Sequence, residues 1–163
     1  VGKGVYIDFD VVIGDNVKIQ NYACIYHGTI IDDGVFVGPH AVFTNDLRPR
    51  AINPDGTAKK DSDWSVLGTT VRFGASIGAA SVILPGLTID RHALIGAGSV
   101  VTRSVPAHGI VVGNPAKLVG YACVCAAALI IEDLVGVCPS CARQYTMTDL
   151  DGTFQFRVKE WIG

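Results

Sequence analysis

The stretch VRFGASIGAASVILPGLTIDRHALIGAGSVV, residues 71–101, places an aliphatic side chain at every sixth position: Val71, Ile77, Ile83, Ile89, Ile95 and Val101. Toward the N-terminus the same spacing runs through Val1, Ile7, Ile13, Ile19, Ile25, Ile31, Val37 and Phe43. Four residues further on sits a second small, apolar or hydroxyl residue, among them Val5, Val11, Ala23, Thr29, Val35, Ala75, Ser81, Leu87 and Val105. Neither a helix nor a simple alternating strand has this period. Two inward positions in six predict a three-sided coil of eighteen residues. Successive coils stack at about 4.8 Å through backbone hydrogen bonds around a column of Val and Ile. The expected fold class is all-β, a parallel β-helix. Gly or Asp often follows the aliphatic residue, as in Ile13-Gly14, Ile77-Gly78, Ile89-Asp90 and Ile95-Gly96, and is read as a tight corner. The repeat is already in phase at Val1, so the reading leaves room for sequence upstream.

The spacing breaks once. From Phe43 to Val71 is 28 residues, four more than a multiple of six, so chain must leave the prism between about residues 45 and 64. This excursion carries Asp46, Arg48, Arg50, Asp55, Lys59, Lys60, Asp61 and Asp63, with Pro49, Pro54 and Gly56 as breakers. A long loop on a rigid scaffold is a favoured place for a site. Asn45 lies eighteen residues after His27, which places it one coil above, and the same arithmetic sets Thr44 over Tyr26. His27, His40 and His92 all fall outside the inward positions.

Composition narrows the function. Charged residues are 17% of the 163-residue chain and hydrophobic ones 49%, too little polar cover for an ordinary surface, so contacts between copies are expected. A net charge of -2 gives no attraction for nucleic acid or an anionic membrane. No apolar run is long enough to span a bilayer.

The runs Lys18-Ile19-Gln20-Asn21, Asp33-Gly34-Val35-Phe36-Val37-Gly38-Pro39, Val42-Phe43-Thr44-Asn45-Asp46-Leu47-Arg48-Pro49-Arg50-Ala51 and Val112-Gly113-Asn114-Pro115-Ala116-Lys117 together resemble the sugar-nucleotide 3-N-acetyltransferases of the hexapeptide-repeat class. The type resembled acts on a UDP-linked 2-acetamido-3-amino-2,3-dideoxy-glucuronate. The resemblance covers residues 1 to about 120 and implies a left-handed β-helix in a cytoplasmic homotrimer. It also implies acetyl-coenzyme A as co-substrate and a nucleotide-linked amino sugar, a polysaccharide precursor, as acceptor. It implies a pantetheine arm lying between two prisms beside Gly78, Ala79, Ala97 and Gly98, with Arg103 and Lys117 on the coenzyme A phosphates. Gln20, Asn21, Tyr26, Thr44, Arg48 and Arg50 become candidates for binding the sugar nucleotide, and Asn45, Asp46 and His27 for catalysis. His27 departs from the acidic residue found in many relatives. An amine attacking a thioester needs a free lone pair, a positioned carbonyl and donors for the oxyanion, but no protein nucleophile.

From Tyr121 the six-residue rhythm is lost, and residues 121–163 form a separate cysteine-rich tail. Cys123-Val-Cys125 and Cys138-Pro-Ser-Cys141 resemble the paired knuckles of a zinc ribbon, the first pair one residue short. Structural zinc is the expectation, with a reduced metal-free tail or a disulfide as alternatives. Residues 148–153 read as a turn leading into a strand at 154–158, and Cys24 as a plain thiol. Other classes fit less well. A γ-type carbonic anhydrase needs three zinc-binding histidines, two close in sequence, whereas the four here are 13, 52 and 16 residues apart. A nucleic-acid-binding ribbon would not carry a tail richer in acidic than basic residues. An O-acetyltransferase and a non-catalytic sugar-nucleotide binder remain as alternatives.

Overall fold

A computed structural model describes residues 1–150 and 153–158. Thirteen two-residue strands, from Tyr6–Ile7 to Val100–Val101, form three parallel sheets that are the faces of a triangular prism. The first face stacks Tyr6–Ile7, Cys24–Ile25, Val42–Phe43, Val82–Ile83 and Val100–Val101. The second stacks Val12–Ile13, Ile30–Ile31, Thr70–Val71 and Thr88–Ile89. The third stacks Lys18–Ile19, Phe36–Val37, Ser76–Ile77, Leu94–Ile95 and Gly109–Gly113, and is closed by Ala116–Tyr121, which turns back antiparallel. From Lys18–Ile19 onward each of the two-residue strands buries its second residue in the core, while Ile7 at the N-terminal end stays exposed and Ile13 is partly buried. Ile25, Phe43, Val71, Ile77, Ile83 and Ile89 are fully buried, as the period requires.

The hydroxyl residues among the inward positions are satisfied by main chain. Thr29 Oγ1 donates to Tyr26 O, and Ser81 Oγ lies within hydrogen-bond distance of both Gly78 O and Gly96 O. A buried hydroxyl without such a partner would cost stability.

The corners depart from expectation. The residue in left-handed conformation is the fourth of the six, as at Asp10, Asn16, Tyr22, His40, Ala80 and His92. The glycine after the aliphatic residue serves close approach instead. A Cβ at Gly78 would lie 2.5 Å from Ala97 N on the next coil. Bulk is excluded there by the stacked backbone, not by a turn.

After Tyr121 the chain forms a small antiparallel sheet of Ile130–Glu132, Val135–Val137, Gln144–Leu150 and Thr153–Val158. The turn expected at 148–153 is shorter than that: Thr148, Asp149, Leu150 and Thr153 belong to the last two strands, which pair from Leu150 with Thr153, and residues 151–152 lie outside the described residues. The first three of these strands were not expected from sequence. No helix among the described residues is long and apolar enough to cross a membrane.

Candidate functional site

The excursion leaves the prism at the edge between the first and second faces, directly after Val42–Phe43, and rejoins it at Thr70–Val71. Its neck is zipped: Leu67 N–H donates to Asn45 O, and Asp46 bridges Val66. Gly68 presses against Gly28 on the coil beneath, where a Cβ would collide with the Gly28 carbonyl oxygen. The loop is ordered by its own bonds, including a short bridge between Ile52 and Ala58 and an Asp63 carboxylate that accepts from Lys60 N–H and Asn53 Nδ2. Leu47, Ile52, Trp64, Val66 and Leu67 are nonetheless exposed.

At this neck the structure brings together Tyr26, His27, Thr44, Asn45 and Asp46. The Asn45 amide nitrogen is 3.4 Å from His27 O, and Thr44 Oγ1 donates to Ile83 O. Below His27 lies Phe9, its ring stacked on the imidazole at 4.2 Å, with its carbonyl oxygen 3.1 Å from His27 Nδ1. A carbonyl oxygen only accepts, so Nδ1 carries the hydrogen and, in the neutral ring, Nε2 carries the lone pair. Asp10 Oδ2 lies 3.9 Å from Nδ1. Asp8 accepts from the His27 and Phe9 main-chain N–H groups and from the Tyr6 hydroxyl. Desolvation would raise its carboxyl, but these bonds outweigh it and hold the group below the usual carboxylate range. Sequence reasoning missed Asp8, Phe9 and Asp10, although the eighteen-residue step that links Asn45 to His27 leads back from His27 to Phe9.

Asp46 Oδ1 accepts from Arg48 N–H at 2.7 Å, so part of this carboxylate orders the loop. Arg48 and Arg50 are exposed, and Arg50 Nη1 donates to Pro49 O. Asp46 and Arg48 share a cleft with Leu47, Ser65 and Leu67.

Gln20 and Asn21 are not at this neck. They lie on the edge between the third and first faces, the edge that also carries Gly78, Ala79, Ala97 and Gly98, with the Gly38–Pro39 coil between. Asn21 Oδ1 accepts from Lys3 N–H, which stitches two coils. Gly78 and Gly98 spend their N–H groups on Ile95 O and Ala79 O, so these two offer a ligand close approach rather than donors. Arg103 and Lys117 do come together, lining one cavity of about 570 Å³ with Thr102, Ser104 and Pro115.

Among the described residues one group of potential metal ligands stands out: the sulfurs of Cys123, Cys125, Cys138 and Cys141 all lie within 4.8 Å of one another. Burial would raise the Cys123 thiol, but bonds from the Cys125 N–H, the Tyr145 hydroxyl and neighbouring thiols bring it down to about 6. The Arg143 N–H favours the Cys141 thiolate, yet desolvation and bonds to Cys138, Cys123 and Cys125 push that thiol up to about 11. A bound cation would favour the thiolate form of all four.

Residues 10–45 match the family model described as bacterial transferase hexapeptide (six repeats). Over 81 residues the chain is 47% identical to dTDP-3-amino-3,6-dideoxy-alpha-D-galactopyranose 3-N-acetyltransferase of Aneurinibacillus thermoaerophilus, covering 50% of this chain and 42% of that protein. It is 35% identical over 119 residues to serine acetyltransferase of Escherichia coli K12, covering 71% of this chain and 42% of the enzyme. A solved structure of a GDP-perosamine N-acetyl transferase mutant from Caulobacter crescentus, in complex with CoA and GDP-perosamine, is similar with a TM-score of 0.56 and 26% identity. That match covers 72% of this chain and 45% of the other. The chain spans about two fifths of the length of the curated relatives it matches.

Proposed function

Because this chain carries the bacterial transferase hexapeptide repeat on a parallel β-helix, we propose that it moves an acetyl group from acetyl-coenzyme A to the 3-amino group of a nucleotide-linked amino sugar. The observation that carries this reading is the neck of the excursion, where Asn45 is held over His27 and the imidazole is oriented from below by Phe9 O. Its support from relatives is the 3-N-acetyltransferase of a dTDP-linked sugar and the neighbour bound to CoA and GDP-perosamine.

The sugar amine attacks the thioester carbonyl carbon, the C–S bond breaks, and coenzyme A leaves as a thiolate that takes up a proton. His27 Nε2 accepts the proton that the amine loses, while Asp10 and the Phe9 carbonyl stabilise the imidazolium that forms. Asn45 positions the amine through its amide oxygen, with Asp46 and Thr44 beside it. Tyr26, Arg48 and Arg50 bind the nucleotide and its phosphates. Arg103 and Lys117 hold coenzyme A phosphates, and the small residues Gly78, Ala79, Ala97 and Gly98 let the pantetheine arm lie against the prism.

Gly78, Ala79, Ala97 and Gly98 sit on a different edge of the prism from the neck, while Arg103 shares the neck's edge, so a neighbouring prism completes the site. A homotrimer does this, and it also covers the apolar loop residues Leu47, Trp64 and Leu67. In that assembly Gln20 and Asn21 reach the sugar nucleotide from the adjacent copy. The reaction belongs in the cytoplasm, where both substrates are made.

A panel of nucleotide-linked amino sugars with acetyl-coenzyme A tests this, read by free thiol release and product mass. Release with a 3-amino sugar supports the reading, and release only with hydroxyl acceptors replaces it. The match to serine acetyltransferase makes serine the necessary comparison acceptor.

A further inference from the structure

Among the described residues, the tail's buried cluster consists of Cys123, Cys138 and Tyr145, with Ala127, Leu129 and Cys141 packed against it. A segment this small is rarely stable without a staple, and its clustered thiols can supply one.

The four sulfurs come from two separate turns. In the first, Ala126 N–H donates to Cys123 O and Cys123 N–H to Ala127 O. In the second, Cys141 N–H approaches Cys138 Sγ at 3.4 Å and Ala142 N–H donates to Cys138 O. Cys123 and Cys141 have sulfurs 3.5 Å apart, as do Cys125 and Cys138. A tetrahedron with metal–sulfur bonds of about 2.3 Å has edges of about 3.8 Å, and two spacings of 3.5 Å with all four sulfurs within 4.8 Å of one another leave room for one small ion among them. The sulfurs also receive the outer hydrogen bonds that orient thiolate ligands. Main-chain N–H groups of Cys125 and Arg143 reach Cys123 and Cys141, and the Tyr145 hydroxyl lies 3.0 Å from Cys123 Sγ.

The same tyrosine joins this cluster to the prism. Its hydroxyl accepts Val124 N–H at 3.0 Å, and its ring meets the His108 ring at 5.4 Å. His108 in turn lies 2.8 Å through Nδ1 from Ala122 O, and its carbonyl accepts Ala122 N–H. His92 and Phe73 continue the stack of rings along the prism edge.

We infer that Cys123, Cys125, Cys138 and Cys141 bind one zinc ion as thiolates, and that this ion, through Tyr145 and His108, fixes the tail as a cap on the C-terminal end of the prism. Four thiols give up four protons to solvent as the ion binds, and no electron is exchanged. The ion is closed off by four protein ligands, so its role is structural rather than catalytic. The inference stands independently of the acetyl-transfer reading, since its test uses no substrate.

The full chain, purified under reducing conditions without added metal, is assayed for metal, for reactive thiols and for melting temperature. Expected are one zinc per chain, protection of the four tail thiols with Cys24 alone reacting, and release of all four after chelation with a fall in melting temperature. Cobalt(II) substitution should give the intense visible bands of a tetrahedral thiolate site, absent in the Cys138→Ser variant. Tyr145→Phe keeps the ligands, so it should retain zinc while lowering the melting temperature. Iron in place of zinc, no metal with four freely reactive thiols, or disulfides in the fresh protein would each overturn the assignment. Zinc bound with no change in melting temperature on removal would overturn the capping role.

Discussion

The Asn45 amide nitrogen reaches the main-chain oxygen of His27, one coil below, across 3.4 Å. This contact joins the last residue of the prism before the excursion to a ring whose hydrogen is fixed by Phe9 O, so both side chains are set by stacked backbone rather than by the loop. Replacing Asn45 by Ala removes the amide oxygen assigned to the amine but leaves the stacking. It should lower kcat/KM about a hundredfold, corresponding to ~2.7 kcal/mol of lost transition-state positioning, with the melting temperature nearly unchanged. Steady-state kinetics alongside a thermal melt decide it, and full activity in the variant would remove the site assignment.

His27→Asn tests the proton acceptor. Loss of a general base should cost about 10²–10⁴ in kcat and remove the acidic limb of the pH–rate profile. A profile unchanged in shape would assign proton loss elsewhere, with Asp46 the next residue to replace.

The parts of the molecule that repeat were readable from sequence, because one residue type recurs wherever one environment recurs. Ile25, Ile31, Ile77 and Ile83 share a single buried column, so their spacing alone reveals the coil. The corners were less readable, since their left-handed position accepts Asp10, Tyr22, His40 and Ala80 alike, and the constraint is on backbone rather than side chain. The neck was readable because Asn45 lies one coil from His27. The separation of Gln20 and Asn21 from it was not, because neighbouring hexads sit on different edges. Tyr145 was invisible as a partner of Cys123, as strand pairing brings it there from 22 residues away.

Gly68→Ala should disturb the neck without touching a reacting group. Its new Cβ meets the main chain of Gly28, which cannot rotate away as a side chain would. Overpacking of this kind costs about 1–3 kcal/mol. The expected result is a lower melting temperature together with reduced activity, because the displaced segment carries Leu67, the partner of Asn45 O.

Arg103→Ala and Lys117→Ala should act on the cofactor alone. Each loses a charged hydrogen bond worth ~1.5 kcal/mol or more, which should raise KM for acetyl-coenzyme A about tenfold and leave kcat and the acceptor KM near wild type. An increase in acceptor KM instead would reassign the cavity these residues share.

The stability of the C-terminal end should depend on pH through His108. Burial lowers its pKa from the ordinary 6.5, against the opposing pull of Ala122 O and the charge of Asp90, while burial, the His108 charge and Arg91 lower that of His92. In the unfolded chain both histidines return to about 6.5. Between the folded and unfolded values the unfolded chain binds more protons, so stability rises with pH. The stabilisation is therefore fully present above about pH 6.5 and is lost as pH falls through the depressed folded values. Thermal melts at pH 7.5 and 5.5 should show a fall larger than in His108→Asn, whose Nδ2 can still donate to Ala122 O but takes up no proton. Equal pH dependence in the two proteins would show that other groups carry the acid sensitivity.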